Sequence, residues 1–216
     1  MTWATSLRRG LLVPSIAAAC AFAVLIGLGT WQVERKAWKE ALIATVSERF
    51  AAPPVALPPP AAWARLDPAT DEFRRVRFKA ELINEKEALV FTTGSSLRGG
   101  DAGPGYWVFT PARVDGRIIM VNRGFVPEQA KDPATRIQGQ IAGPVEIVGV
   151  TRWPERPGMF TPAAEPEKNL WFARDPADMA RAKRLGPVAP FYVEQESPPV
   201  PGGLPSAGVL QPTFPQ

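Results

Sequence analysis

Residues 10–33 contain no charge. Residues 11–31 alone would form a helix of about 30 Å at 1.5 Å per residue, long enough to cross a bilayer. Arg8 and Arg9 precede this run, while Trp31, Arg35, Lys36 and Lys39 follow it as an aromatic and basic collar suited to a headgroup region. Pro14 falls in the first turn, where a missing N–H is tolerated. The pattern predicts a transmembrane helix over 11–33 behind a short N-terminus, residues 1–10. A juxtamembrane helix over 34–52 should follow, because Trp38, Ala41, Leu42, Thr45 and Val46 extend an apolar stripe at helical spacing. Pro53-Pro54 and Pro58-Pro59-Pro60 then read as a stiff extended linker.

Beyond the linker the period changes from 3.6 to 2. Val76, Phe78, Ala80 and Leu82 alternate with Arg75, Arg77, Lys79 and Glu81, which predicts a half-exposed strand whose basic row is a solvated face. Residues 88–93 read as a second strand and 94–105 as a glycine-rich loop. Ser95, Gly99, Gly100 and Gly103 make no phosphate loop there, since no Gly-Lys-Ser/Thr ending follows. Asp115-Gly116, between the apolar runs 106–114 and 117–126, predicts a two-residue hairpin. Strands are expected at 145–152 and 191–194. A short helix at 177–184 should be capped by Asp175, opened by Pro176 and stopped by Gly186. The fold class is mainly β: an antiparallel sheet or small β-barrel domain over 53–196 with a short helix, an N-terminal transmembrane helix, and a proline-rich tail, 197–216, without a packing pattern.

An unbulged hairpin register would set Val108 opposite Arg123 and Tyr106 opposite Phe125, with Ile119, Val121, Arg123 and Phe125 on one face. A cation then stands in an apolar row. Either Arg123 is an edge residue whose stem covers Val121 while its head reaches water, or it is paired and partly buried, shaping the domain or gripping a partner's carboxylate.

Composition narrows the chemistry. The chain has 216 residues, enough for one domain plus an anchor, and its 25 prolines and 18 glycines call for many turns. The net charge of +4 is scattered; without a basic block or zinc spacing it points to an anionic membrane surface and away from nucleic acid. There is no histidine and one cysteine, Cys20, in the apolar run. Ser-His-Asp and Cys-His catalysis, a disulfide and an ordinary zinc site are thereby excluded.

Three other readings of the apolar run are weaker. Cleavage as a secretory signal conflicts with its continuation through Phe22, Val24, Leu25 and Ile26. Lipidation of Cys20 would cut the run in its middle, and Arg8-Arg9 is a poor twin-arginine signal. No space for a mitochondrial transit peptide precedes the helix, so a bacterial inner membrane is expected. Basic residues flank the run on both sides and leave its orientation open.

Several segments together resemble one family. Gly27-Leu28-Gly29-Thr30-Trp31-Gln32-Val33-Glu34-Arg35-Lys36 is similar to the helix end of the surfeit locus protein one family, the cytochrome c oxidase assembly factors. Arg74-Arg75-Val76, Gly105-Tyr106 with Thr110-Pro111, and Val121-Asn122-Arg123-Gly124-Phe125-Val126-Pro127 resemble further family motifs. Asn169-Leu170-Trp171-Phe172 with Asp175, and Phe191-Tyr192-Val193-Glu194, continue them in order.

The resemblance implies a non-enzymatic factor with its β-rich domain on the periplasmic side. It would assist maturation of oxidase subunit I beside other assembly factors, at the heme A insertion step. It also implies a second transmembrane helix entered through an Asn-Asn-His segment, where this sequence stops at Pro215-Gln216. Partner- or heme-propionate-binding residues would be Trp31, Gln32, Arg35, Lys36, Gly105, Tyr106, Asn122, Arg123 and Gly124. Arg35 and Lys36 can reach carboxylates at the interface, or form a plain membrane collar. Heme A could find only Met120, Met159, Met179, Cys20 or a tyrosine as an axial ligand. Two other classes compete: a cofactor-free envelope scaffold, and a Ser-Lys membrane peptidase drawing on Ser47, Ser95, Ser96, Ser197 or Ser206 with Lys79, Lys86, Lys131 or Lys168.

Overall fold

The computed structural model describes residues 3–94 and 103–207, with 3–13, 41–43 and 45–47 described by backbone alone. Ser95, Ser96, Gly99, Gly100, the tail from 208 onward, and the side chains of Arg8, Arg9, Ala41, Leu42, Thr45, Val46 and Ser47 lie outside the description. The chain divides into two compact units, Met1–Glu48 and Arg49–Gln216.

The first unit is helical, within a helix α1 that runs Trp3–Ala51 with Pro14 inside it. Among the described residues, Pro14–Glu40 is long and apolar enough to cross a membrane, with mean hydropathy 1.9 and none of that window buried against protein. Phe22, Val24, Leu25, Ile26 and Leu28 are all exposed. An exposed apolar helix of this length suits the interior of a bilayer. Thr30 suits the same setting, for its hydroxyl donates to the Ile26 and Gly27 carbonyls at 3.1 and 2.9 Å.

The second unit is built from eight strands: β1 (Val55–Ala56), β2 (Arg75–Leu82), β3 (Ala88–Thr92), β4 (Gly105–Val114), β5 (Arg117–Pro127), β6 (Pro144–Arg152), β7 (Leu170–Trp171) and β8 (Val188–Ser197), with short helices α2 (Pro68–Asp71) and α3 (Pro176–Lys183). Their order is β1-β2-β6-β8-β5-β4-β3-β7, and a β2–β4 pairing closes β2, β6, β8, β5 and β4 into a five-stranded barrel. The mainly-β reading therefore holds, in its barrel form. One barrel seam, β5–β8, is parallel.

Alternation sorts the apolar residues. Val76, Phe78, Ala80, Ala112, Val114, Ile119, Val121, Ile147, Phe191 and Val193 come from all five barrel strands and form its interior. Trp107, Phe109, Met120, Phe125 and Tyr192 lie on the other face, where Trp171 of β7 and Met179 of α3 cover them. On β2 the basic row is a solvated face as expected, with Arg77–Glu146 at 3.9 Å and, toward β4, Arg113–Glu81 at 3.8 Å.

Four local expectations change. The proline segment is docked rather than free: β1 runs parallel to β2, Leu57 N donates to Arg77 O at 3.1 Å, and Trp63 is buried edge-on to Phe191. Asp115 and Gly116 do turn the hairpin, both at positive φ. Its register, however, shifts between Trp107 and Phe109, so that Tyr106 faces Val126, Trp107 faces Phe125, and Arg123 with Gly124 together oppose Val108. The extra residue carries Phe125 off the Ile119/Val121 face and onto the Met120 face. Third, α3 ends on Arg184, itself left-handed at φ 56°, before Gly186 is reached. Fourth, residues 198–206 are packed: Val200 is buried, and Ser206 pairs with Phe125 through both backbone groups.

Asp175 caps α3 as its sequence predicts, accepting from Ala177 N and Asp178 N at 2.9 and 3.2 Å. Asp175→Ala is expected to cost about 1 kcal/mol in urea unfolding.

Candidate functional site

The sequence-nominated residues fall into two groups. Trp31, Gln32, Arg35 and Lys36 are exposed on α1. Arg35 lies over the Trp38 ring at 4.7 Å, and Lys36 reaches Glu40 at 3.6 Å. Both cations are thus engaged along their own helix.

Gly105, Tyr106, Asn122, Arg123 and Gly124 gather on the β4–β5 pair. The bulge at 123–124 is closed by Asn122, whose Oδ1 accepts from Gly124 N at 3.1 Å. Gly124 has φ +119°, and a Cβ there would stand 2.0 Å from Ser206 O. Turned by the bulge, the Phe125 N–H and C=O face out of the ladder and take Ser206 as partner at 3.1 and 2.8 Å. Gly105 lacks room in the same way, its Cβ position being 2.3 Å from Val126 O. Tyr106 is buried beneath Lys131, whose Nζ is 4.8 Å from the ring centroid. Burial and the nearby Glu128 carboxylate raise its phenol above the ordinary value.

Arg123 is completely buried. Its Nη2 donates to Gly139 O at 2.6 Å and its Nη1 to Asn84 Oδ1 at 3.4 Å, while Nε has no partner among the described residues. The edge-residue reading is thereby replaced by the buried one. Burial pushes its pKa down to about 10, with Glu87 opposing and Arg136 adding to the fall, so it remains cationic at neutral pH.

Beside it lies a pair that no sequence pattern announces. Arg136 is bound through both terminal nitrogens to the Glu87 carboxylate, and its Nε donates to Ala130 O at 3.0 Å. Both residues are buried. Two guanidinium groups and one carboxylate thus tie the β5 bulge to segment 133–139, which is wedged under the strap 200–206 at Gly139 and Leu204. Arg136 sits at a non-helical kink between two 3-10 turns and Glu87 just ahead of β3, so neither residue stands out before folding.

A second polar cluster runs across the outer face. Arg174 joins Glu155 at 2.7 Å and Glu194 at 3.2 Å, and Arg152 joins Glu194 at 3.3 Å and Glu72 at 3.4 Å. Burial raises the Glu194 carboxyl above its ordinary range, against the pull of the two arginines. Arg152 also covers the Phe73 ring at 4.7 Å, and Phe73 meets Phe50 at 6.0 Å.

These clusters organise the domain. Among the described residues no group of three or more metal-ligating side chains occurs. Ser206, one of the candidate nucleophiles, donates to Gly203 O at 3.1 Å. Met120 and Met179 are fully buried in packed core, whereas Met159 is exposed in a loop. The sequence has no histidine, so a histidine axial ligand to heme cannot come from the residues given.

Because Arg123 is buried and Arg117 exposed, Arg123→Ala is expected to lower domain stability by about 2–3 kcal/mol through its orphaned partners, and Arg117→Ala by about 0.5 at most. Urea unfolding of the two variants checks this.

The SURF1 family model matches residues 19–216. The chain is similar to Surfeit locus protein 1 of Rattus norvegicus, 38% identical over 194 residues, covering 84% of this chain and 61% of that protein. The human Surfeit locus protein 1 is 37% identical over 190 residues, covering 82% of this chain and 61% of its own length. A SURF1-like protein of Monosiga brevicollis is 38% identical over 192 residues, covering 86% and 71%. The chain therefore spans roughly three fifths of the rat and human proteins, and it belongs to the SURF1 family.

Proposed function

We propose that this protein is a membrane-anchored, non-enzymatic assembly factor for cytochrome c oxidase that assists maturation of subunit I. The observation that carries the reading is the pairing of an unburied apolar span with a closed barrel, in a chain of this family. A span confines the barrel to the membrane surface, where a nascent membrane subunit is met. We place it in a bacterial inner membrane with the barrel on the periplasmic side. The work fits the stage at which heme A enters subunit I, with this chain holding the apo-subunit and other assembly factors, while iron ligands come from elsewhere. The exposed collar of Trp31, Gln32, Arg35 and Lys36 is the surface offered to lipid headgroups or to propionates.

The test is affinity capture of the full chain from cells making oxidase, combined with alkaline phosphatase fused at Ser197. Co-purification of nascent subunit I and active phosphatase are expected. Failure to capture the subunit, or an inactive phosphatase with an active cytoplasmic reporter, would overturn the assignment. Reduced spectra of the purified chain should lack a stoichiometric heme A band. A band that survives replacement of Met120, Met159, Met179, Tyr106 and Tyr192 contradicts the ligand inventory.

A further inference from the structure

Between β6 and β7 the chain leaves the barrel on a stem and makes a tight turn. Glu155 N donates to Arg174 O at 3.2 Å, reinforced by the Glu155–Arg174 ion pair at 2.7 Å. At the tip Thr161 N donates to Gly158 O at 3.0 Å and Gly158 N to Thr161 Oγ1 at 2.8 Å. This locally satisfied turn presents Met159 and Phe160, which are 92% and 93% exposed, more than any other large apolar side chain among the described residues. Exposing two adjacent side chains of this size is costly in water unless another apolar phase receives them. Arg156 flanks them, exposed and without an ion pair among the described residues.

The stem is fixed to a particular end of the domain. From Glu155 the ionic ladder passes through Arg174, Glu194 and Arg152 to Glu72. Glu72 O in turn accepts from Arg49 Nη1 at 2.8 Å, and Phe73 meets Phe50. Arg49 and Phe50 are where the chain arriving from the span enters this unit. Arg49 lies nine positions beyond Glu40, the last residue of the candidate span, or about 14 Å along the helix. The stem is therefore linked, through this ladder, to the residues by which the chain enters the unit.

We propose that the turn 156–161 is a second membrane contact, in which Met159 and Phe160 enter the acyl region while Arg156 meets lipid phosphate. An apolar tip with a flanking cation matches the chemistry of a bilayer surface, with acyl chains beneath anionic headgroups. Together with the span this gives two attachment points, which restrict how the barrel can turn about its anchor. The inference goes beyond the assembly role and needs only the anchor.

The test uses the full chain reconstituted in vesicles of mixed phosphatidylcholine and phosphatidylglycerol. An environment-sensitive fluorophore is placed on Met159→Cys in a Cys20→Ser background, with Ile137→Cys as a solvent-exposed comparison and native Cys20 as the span reporter. Nitroxide-labelled acyl chains should quench the label at 159 at least about twofold more than the label at 137, as for a side chain seated at the headgroup/acyl boundary. Adding Phe160→Asp should abolish that difference while leaving Cys20 quenched. Quenching at Cys20 but not at 159 would overturn the proposal and leave the anchor standing. Shielding of 159 from iodide without lipid quenching would also overturn it, assigning the turn to a second copy of the chain. An unquenched Cys20 would remove the anchor, and the proposal with it.

Discussion

Gly124→Ala is expected to destabilise the barrel by about 3 kcal/mol, combining the strain of a non-glycine backbone at strongly positive φ with steric overlap. The position has φ +119°, and the new methyl would meet Ser206 O at 2.0 Å and Ser206 C at 2.3 Å. Neither contact is a flexible side-chain end; both belong to backbone that pairs with Phe125. Relief requires the strap 200–206 to lift, which also breaks two hydrogen bonds and uncovers Val200 and Gly139. Gly143→Ala supplies the comparison, because its φ is +78° with nothing within 4 Å of the added Cβ. It should cost only about 1 kcal/mol of backbone strain. Urea unfolding followed by tryptophan fluorescence separates the two, and limited proteolysis should find the strap opened only in Gly124→Ala. Equal, small effects would mean that the strap does not bear on the bulge.

The buried charges should respond asymmetrically. Breaking a buried ion pair by removing one partner costs about 3–5 kcal/mol, because the other charge is left without compensation. Arg136 and Glu87 have side chains 1% and 4% exposed, so both single substitutions fall in that regime. Glu87 also stabilises the charge on Arg123, whereas Arg136 opposes it. Glu87→Gln therefore leaves two buried cations facing each other, while Arg136→Met leaves Glu87 a remaining partner in Arg123. Glu87→Gln is expected to be the more damaging of the two. A double Glu87→Gln, Arg136→Met variant should cost less than the sum of the singles, since the two buried cations no longer face each other. A thermodynamic cycle measured by urea unfolding checks both statements. The reverse order of the singles would show that Arg123 draws its compensation from another group.

What the sequence determined by itself was local. An uncharged run of sufficient length makes a span, period-2 alternation makes β2, Asp115-Gly116 makes the hairpin, and Asp175-Pro176 starts α3, because each depends on interactions within about one turn or one strand pair. The family motif 121–127 was equally legible as a string, but its place in the fold was not. Asn122, Arg123 and Gly124 stood out as candidate contacts for a partner, and the structure uses them to close a bulge, bury a cation and admit a strap. Only the tertiary structure decided this. One inserted residue reverses which face Phe125 occupies, and a period of 2 carries no memory of such a slip. The partners of the motif lie far along the chain as well: Arg123 binds Asn84 and Gly139, Arg136 binds Glu87, and Ser206 covers Gly124. The antiparallel sheet expected from the sequence likewise contains one parallel barrel seam, between β5 and the distant β8. Contacts of that separation are chosen by closure and by the need to satisfy buried polar groups, physical demands that exist only once the barrel is closed.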